Sequence, residues 1–467
     1  MNLTSKQVLI AVFLLSFLTR SLMLITIGPD IGSNSGHYRI PAENLIQHGA
    51  LIQKDALSGE WHPFTFRMPG YSLYIALFYT LFGITDTAHY AIAFSQVLFA
   101  SIMAVMAAYI GSRYFSPKIG LMAGCFLALD PWLSFSTIAI LNDNPFSFAY
   151  TLSFLAAIIA IEKLTWRWAL LWGLTLGLAT FIRPLPKYNL AIVVVVFALS
   201  AIDWQKKVDL TLVAIVGFSL LVGGWSLRNK VQTGHWDLET NQGMSMLWRT
   251  AHLTRESTPE DYQVDPLLAE ARDITANTDP PHGGAVAREI REQMNLSERE
   301  TNELMVTIAY ENVFLNPMAY VQRGIFHSFS FQTGIGMFIE FAVLNLNASP
   351  DLRDGVGGHL QKADYGYLAL NLFLRLSTTL IFAVLFPIGV VYAWFRYKEQ
   401  RLFHLYFLLT LLYHFAVSTL VIGQDRYRLP LHGVMFLYIS CAILYLQGVW
   451  QSRRELFKVS VKGKSLS

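Results

Sequence analysis

The sequence predicts an all-α protein that crosses a membrane several times. Of its 467 residues, 54% are hydrophobic and only 14% are charged, and a water-soluble domain could not bury so many apolar side chains. Several apolar runs reach about 20 residues, the length that a helix needs to cross a bilayer. Because no water reaches the bilayer interior, the backbone amides of these runs must be paired internally, which predicts helices.

Ten segments are predicted to span the membrane. They are Val8–Ile27, Ala88–Ile110, Ile119–Leu141, Pro145–Ile161, Trp168–Ile182, Tyr188–Ile202, Leu210–Trp225, Leu376–Phe395, Leu402–Ile422 and Leu429–Leu446. The first resembles a signal peptide, but no small-residue cleavage site follows it, so we expect a retained span. The apolar segment Tyr71–Phe82 is shorter than a span and predicts an interfacial or re-entrant helix in the first outer loop.

The basic residues favour one orientation of this bundle. With the N-terminus in the cytoplasm, every cytoplasmic connection is basic, as the positive-inside rule requires. These residues are Arg113, Lys118, Lys163, Arg167, Lys206, Lys207, Arg396, Lys398 and Arg401, with Arg453, Arg454, Lys458, Lys462 and Lys464 in the tail. We therefore expect both termini in the cytoplasm of a cell that carries the protein in its inner (plasma) membrane. The net charge of +3 is too small to indicate a nucleic-acid partner.

Three regions are expected along the chain. Residues 1–228 form an N-terminal transmembrane module with the catalytic outer loops, 229–367 a small extracytoplasmic helical insert, and 368–467 a C-terminal transmembrane module with a basic tail. In the insert, Ser297 and Glu300 match a capping box, which predicts that a helix restarts after a break at Asn295. The two cysteines lie inside apolar segments and give neither a disulfide framework nor a metal-binding spacing.

The polar residues of the predicted outer turns could carry chemistry. Folding the bundle would bring carboxylates and arginines together at the lipid–water boundary, where ionisable groups are costly and therefore functional candidates. Arginine binds phosphate in bidentate fashion, and a carboxylate can take the proton of an acceptor hydroxyl. A cation beside a span can equally reach the lipid headgroups, and Asp143 could simply cap the helix that opens at Pro145. For Asp143 we favour function, because arginines are expected nearby.

Seven motifs, with every polar one on the predicted outer face, share their order with a known superfamily. They are Asn34–Tyr38, Arg67–Tyr71, Asn142–Pro145, Gly173–Pro184, Trp225–Asn229, Asn316–Tyr320 and Arg426–Pro430. Together they resemble the GT-C fold glycosyltransferases, specifically the bacterial branch similar to protein O-mannosyltransferases and the lipid A aminoarabinose transferase. Each motif alone is weakly specific, but their shared order covers most of the chain.

The resemblance implies transfer of a sugar from a polyprenyl-phosphate carrier to an acceptor outside the cytoplasm, usually with inversion at the anomeric carbon. It implies that Asp143 is an acidic residue of the active site and that Tyr38 shapes the cavity. The residues implied to bind substrate are Tyr38, Arg67, Arg183, Lys187, Arg228, Asn229, Arg426, Tyr427 and Arg428. The acceptor would be a protein, a glycolipid or a glycan. No cofactor is evident, although some family members use a divalent cation, and no metal-ligand set is visible.

One departure from the family pattern affects the expected chemistry. The family's first acidic residue falls on Asn34, whose amide is not a useful base at neutral pH. Asp30 could have taken over the task, Asp143 could act alone, or Asn34 could orient the acceptor; we favour Asp143, with Asp30 second. Two other functions are compatible with the sequence: a transporter or flippase of a lipid-linked sugar, or a non-catalytic member of the family. The repeated halves typical of many transporters are not evident.

Overall fold

The computed structural model is mainly helical and describes residues 5–55, 57–255, 265–279, 283–322, 324–325, 365–420 and 427–464. The apolar helices are α1 (Ser5–Ile27), α3 (Gly70–Phe82), α4 (Asp86–Tyr114), α5 (Pro117–Ala128), α6 (Pro131–Ile138), α7 (Asp143–Lys163), α8 (Trp166–Ile182), α9 (Asn189–Ala198), α10 (Trp204–Thr233), α15 (Tyr365–Thr379), α16 (Phe386–Arg396), α17 (Arg401–Leu420) and α18 (His432–Lys464). The remaining elements are α2 (Gly36–His48), a hairpin of β1 (Ile52–Lys54) and β2 (Trp61–Pro63), α11 (Gln242–Thr250), α12 (Pro266–Asn277), α13 (Gly283–Met294) and α14 (Glu298–Leu315).

The apolar helices confirm the predicted fold class. In the part of the chain that the structure describes, 7 helices are long and apolar enough to cross a membrane, and the bent pair α5–α6 raises the number to 8. The predicted spans Trp168–Ile182 and Tyr188–Ile202 correspond to shorter apolar helices. The segment Tyr71–Phe82 forms a short helix, as expected. The protein is therefore a multi-pass membrane protein, and the total of ten spans stays a prediction.

The predicted span Ile119–Leu141 corresponds to a bent pair of helices, α5 and α6, and not to one straight helix. The chain bends by 47° between α5 and α6, because Asp130 leaves the helical conformation and the following Pro131 has no N–H to continue the helix. Backbone carbonyl and N–H groups that lose their helical partners at this break bond to polar side chains, as an apolar environment requires. Arg20 of α1 donates hydrogen bonds to the last carbonyls of α5, at 2.7 Å to Leu127 and 2.6 Å to Ala128. The Asp130 carboxylate accepts the N–H of Trp132 at 3.0 Å.

The bend directs the chain toward the start of α7. After α6 the backbone is extended and pairs with the loop that follows α1: Asp30 donates to the carbonyl of Ile138 at 2.8 Å and accepts from Ile140 at 2.9 Å. The next turn begins α7 at Asp143. The break in the α5–α6 span and this short pairing therefore fix where Asp143 enters the bundle.

Helices α8 and α10 pack unusually closely through glycine. A Cβ atom added at Gly173 would collide with the backbone carbonyl of Ala214 in α10, and one added at Gly217 would meet the carbonyl of Leu170 in α8 at 2.6 Å. Small residues allow helix backbones to approach closely where lipid offers no hydrophobic driving force for association. The glycine-rich stretch that begins at Gly173 is thus explained by packing.

We expect Gly173→Ala to destabilise the protein. The added methyl group meets backbone that cannot rotate away, so the helices must separate, at a cost at the upper end of the 1–3 kcal/mol that is typical of overpacking (about 3 kcal/mol). Thermal unfolding in detergent measures the effect. Gly224→Ala in α10 is the matched control, because no atom lies within 4 Å of its added Cβ. Equal stability of the two variants would contradict the close packing.

The polar region after α10 has its own small core. Helices α11 to α14 bury a separate cluster that includes Leu247, Ile290 and Ile308. The predicted capping box is confirmed: the Ser297 hydroxyl accepts the N–H of Glu300, and the Glu300 carboxylate accepts the N–H of Ser297. The expected break lies at Asn295, with a φ of 52°.

Helices α11 to α14 contact the predicted first outer loop, which lies between α1 and α3. Glu298 at the start of α14 accepts hydrogen bonds from Gln53 in β1 at 2.6 Å and from Thr240 at 2.7 Å, and Arg291 pairs with Asp55. The first loop and the insert thus form one polar layer above the same end of the bundle. Helix α10 continues to Thr233, beyond the predicted domain boundary at residue 228.

Candidate functional site

An ion pair between Asp143 and Arg183 forms the centre of the candidate site. Asp143 begins α7, and Arg183 ends α8 in extended conformation. One Nη atom of Arg183 lies 2.9 Å from Oδ1 of Asp143, with only 3% of the Asp143 side chain and 11% of the Arg183 side chain exposed. Burial lowers the pKa of Arg183, but the charge and hydrogen bond of Asp143, together with the hydroxyl groups of Tyr427 and Tyr38, outweigh this effect, so the pKa is raised and the guanidinium stays charged.

Aromatic rings surround this pair. The Arg183 guanidinium lies 4.8 Å from the ring centre of Tyr427 and 5.7 Å from that of Phe146, a cation–π arrangement that stabilises a desolvated charge. Tyr38 in α2 is buried and stacks edge-on against Tyr71 at 5.2 Å. The hydroxyl group of Tyr38 is one of the groups that raise the pKa of Arg183. Tyr38 and Tyr427, both proposed from the sequence, therefore line the same site as Asp143.

Arg67 and Lys187 add two cations at the edge of the site. The Arg67 guanidinium lies 5.9 Å from the ring centre of Tyr38, and its Nε is buried without a hydrogen-bond partner among the described residues. Desolvation and the charge of Arg67 lower the pKa of His37 to about 4, so this imidazole is neutral at physiological pH. Lys187 lies in the 3-10 turn after Arg183, 4.9 Å above the ring of Tyr188.

A second carboxylate at the site, Glu239, was missed by the sequence analysis. It lies between α10 and α11, is partly buried, and experiences the charges of Arg67, Lys187 and Arg183. Desolvation raises its pKa even though the three cations and a hydrogen bond from the N–H of Met68 act in the opposite direction. No recognised motif contains Glu239; its position ten residues after Asn229 is the one signal that could have drawn attention to it.

The Trp225–Asn229 motif holds the backbone segments that carry Arg67 and Glu239. Arg228 donates hydrogen bonds to the carbonyls of Phe64 at 2.8 Å and Leu51 at 2.9 Å. Trp225 Nε1 and the Asn229 side chain donate to the carbonyls that immediately precede Glu239, those of residues 238 and 237, at 2.9 and 2.8 Å. All these contacts position the two loops. A direct role for Arg228 and Asn229 in substrate binding stays a prediction.

Two further sequence candidates, Asp30 and Asn34, lie near the bundle end but do not bond to the central pair in the described part of the chain. Asp30 is exposed, pairs through its backbone with Ile138 and Ile140, and has a pKa raised by partial desolvation. Asn34 is exposed in a single 3-10 turn before α2. Neither side chain forms a hydrogen bond with Asp143 or Arg183 in the described part of the chain.

In the last motif, Arg426–Pro430, neighbouring residues contact different parts of the structure. Arg426 lies outside the described residues. Tyr427 faces Arg183, as described above. The Arg428 side chain is buried on another side, 4.1 Å from the ring centre of Phe382, and its Nε donates to His432 at 3.2 Å. His432 in turn bonds to Asp130 at 2.6 Å. Arg428 therefore belongs to the polar cluster at the α5–α6 break, away from the Asp143–Arg183 pair.

The described side chains do not fit a metal ion. Among them, no three histidine, cysteine or carboxylate groups lie close enough together to hold one, and an oxygen of Asp143 is already bonded to Arg183. The use of a divalent cation stays a prediction.

The protein has a membrane fold of the GT-C type. The structure is similar to that of the Archaeoglobus fulgidus oligosaccharyltransferase in complex with Zn and sulfate, with a TM-score of 0.51 and 14% sequence identity over 96% of this chain and 50% of that chain. The same enzyme tethered with an acceptor peptide gives a TM-score of 0.50 at 12% identity, over 97% and 50% of the two chains. ArnT from Cupriavidus metallidurans bound to undecaprenyl phosphate gives 0.39 at 13% identity, over 93% and 77%. The chain spans about half the length of the archaeal enzyme.

Sequence comparison adds a family match in the region that carries most of the site. Residues 62–225 match the model of a family described as dolichyl-phosphate-mannose-protein mannosyltransferase, and this stretch includes Arg67, Asp143, Arg183 and Lys187. No match was found among curated protein sequences. The resemblance to GT-C glycosyltransferases is thus confirmed at the level of the fold.

Proposed function

We propose that this protein is a glycosyltransferase that moves a sugar from a polyprenyl-phosphate carrier to an acceptor outside the cytoplasm. The observation that carries the proposal is a group of three cations, Arg67, Arg183 and Lys187, that act on the carboxylate of Glu239 beside the buried ion pair of Arg183 with Asp143. A lipid-linked phosphate reaches such a place from the bilayer, and fixed cations can hold it there. The family that matches residues 62–225 is described by a sugar donor of this type.

The arrangement supports a displacement in which the carrier phosphate leaves. As the bond between the anomeric carbon and the phosphate oxygen breaks, negative charge grows on the leaving phosphate, and preorganised cations stabilise that charge. Asp143 keeps the Arg183 guanidinium in a fixed orientation, while Arg67 and Lys187 are free of ion pairs within the described residues. An acceptor oxygen that attacks opposite the phosphate inverts the anomeric carbon, so we infer inversion.

The proposed orientation places this site outside the cytoplasm. Helix α7 runs from Asp143 at the site to Lys163 at the far end, where Arg113 pairs with Glu162 at 2.9 Å. The far end thus carries basic residues of the predicted cytoplasmic loops, which supports the orientation derived from the positive-inside rule. The acceptor would then be an extracytoplasmic protein, glycolipid or glycan.

We expect Arg67→Ala and Lys187→Ala each to weaken binding of polyprenyl phosphate about 10- to 100-fold, because a hydrogen bond to a charged group contributes about 1.5–3 kcal/mol. Binding is measured with the labelled lipid and purified protein in nanodiscs, and transfer with a panel of polyprenyl-phosphate sugars.

The matched control is Arg113→Ala, which removes a half-exposed cation at the opposite end of the bundle and should change neither readout, since exposed ion pairs contribute little. Absence of lipid binding and of transfer by the unaltered protein would refute the proposed function. Transport of the intact lipid-linked sugar without cleavage would favour the flippase alternative.

A further inference from the structure

Hydrogen bonds hold the backbone on both sides of Glu239 in a defined position. The carbonyl of Leu238 accepts the indole N–H of Trp225 at 2.9 Å. The N–H of Thr240 donates to the carbonyl of Thr65 at 2.9 Å. The N–H of Met68 also acts on the Glu239 carboxylate and offsets part of the rise in its pKa. A residue outside any helix or strand that is fixed on both sides in this way is preorganised, as catalytic groups need to be.

The charges of the cations that we assign to the carrier phosphate also act on the carboxylate of Glu239. Arg67, Lys187 and Arg183 all act on its charge, yet desolvation is the larger effect and raises its pKa. The side chain of Asp143, by contrast, is only 3% exposed, and its Oδ1 is bonded to Arg183. Proton uptake by Asp143 would therefore break the ion pair. Of these two carboxylates, Glu239 is the better proton acceptor, because proton uptake there breaks no ion pair among the described residues.

A cavity of about 320 Å³ is lined by Thr240, the residue that follows Glu239. It lies between the first outer loop and helices α13 and α14, and its lining includes Phe66 and Thr240, the sequence neighbours of Arg67 and Glu239. Apolar side chains such as Met244 and Met305 line it together with Arg288 and Asn302. Its size is in the range of small-molecule sites, and mixed lining of this kind suits a polar group on a partly apolar molecule.

We propose that Glu239 is the general base of the transfer reaction and takes the proton of an acceptor hydroxyl that enters through this cavity. The inference rests on the proposed function. The acceptor O–H bond breaks and its proton goes to a Glu239 carboxylate oxygen, while the acceptor oxygen forms a bond to the anomeric carbon. The bond from that carbon to the carrier phosphate breaks, and the phosphate leaves with the electron pair beside Arg67, Lys187 and Arg183.

We expect Glu239→Gln to lower the transfer rate about 100- to 10,000-fold, the usual contribution of general base catalysis. Binding of polyprenyl phosphate should stay unchanged or become tighter, because a negative charge beside three cations is removed. Both quantities are measured on purified protein in nanodiscs. The matched control is Asp237→Asn, which makes the same charge change two residues away, where the carboxylate is 44% exposed and pairs with Arg299; it should keep the wild-type rate.

Three results would overturn the proposal: a rate for Glu239→Gln within about threefold of wild type, donor binding weakened in parallel with the rate, or an equal loss in Asp237→Asn. Should Glu239→Gln fail to fold, Glu239→Asp decides the question. It keeps the charge but withdraws the carboxylate by one methylene group, which should cost about 100-fold in rate; a wild-type rate would contradict the assignment. A wild-type protein that neither binds polyprenyl phosphate nor transfers sugar would instead refute the proposed function.

Discussion

Asp143→Asn should reduce sugar transfer about 1,000-fold while the protein still folds. Asparagine keeps the size of the side chain but removes the charge that faces Arg183 at 2.9 Å. Removing one partner of a buried ion pair leaves an uncompensated charge, a penalty of about 3–5 kcal/mol that the guanidinium can reduce only by moving. A displaced Arg183 no longer stabilises the leaving phosphate, and about 4 kcal/mol of lost transition-state stabilisation corresponds to a 1,000-fold slower reaction.

The initial rate of transfer in nanodiscs measures this effect, and a double-mutant cycle identifies its origin. Because Asp143 and Arg183 act as one unit, Asp143→Asn combined with Arg183→Met should be about as slow as either single variant. The control Asp86→Asn removes a 94% exposed carboxylate at the start of α4 and should keep the wild-type rate. Full activity in Asp143→Asn would remove the ion pair from the mechanism.

Sequence reasoning found the bundle because the bilayer imposes a simple requirement on composition. A run of about 20 apolar residues has few alternatives to a helix, so α1, α4, α7, α10 and α18 were predictable. The capping box at Ser297 was predictable for a similar reason, since both of its hydrogen bonds are local to four residues of the chain.

The α5–α6 break could not be predicted because average hydropathy hides it. Asp130 and Pro131 interrupt an otherwise apolar stretch, and a charged residue there can be tolerated only if partners exist elsewhere in the chain. One such partner, Arg20, lies on α1, more than a hundred residues earlier. Contacts of this range carry no local sequence signal.

The lack of a local sequence signal also explains why the arginines of the motifs have different partners in the structure. Arg183 and Arg228 both follow predicted apolar spans and have the same chemistry, so nothing in the sequence separates them. In the structure Arg183 pairs with a carboxylate, whereas Arg228 bonds to backbone carbonyls of the first outer loop. Glu239 was missed because its neighbours at the site come from residues 65–68 and 183–187, which only folding brings together.

Asp130→Ala should give the largest loss of stability among single substitutions in the apolar bundle that we consider. Asp130 caps α6 through the N–H of Trp132 at 3.0 Å, accepts a hydrogen bond from His432 at 2.6 Å, and provides the negative charge that acts on the fully buried Arg20. Loss of the cap alone costs about 1 kcal/mol. Breaking a buried charged network costs about 3–5 kcal/mol, because the cation that remains cannot reach water.

Thermal or denaturant-induced unfolding in detergent measures this loss, and Ser116→Ala provides the matched control. Ser116 caps α5 by accepting the N–H of Ile119 at 3.3 Å, so its removal deletes a helix cap without touching the buried charges. We expect Asp130→Ala to exceed Ser116→Ala by about 2–4 kcal/mol, and equal losses would mean that Asp130 is only a cap. Because Asp130 reaches Arg428 through His432, and Arg428 follows Tyr427 at the site, the same substitution should also slow transfer. The bend in the α5–α6 span would then be a condition for catalysis as well as for folding.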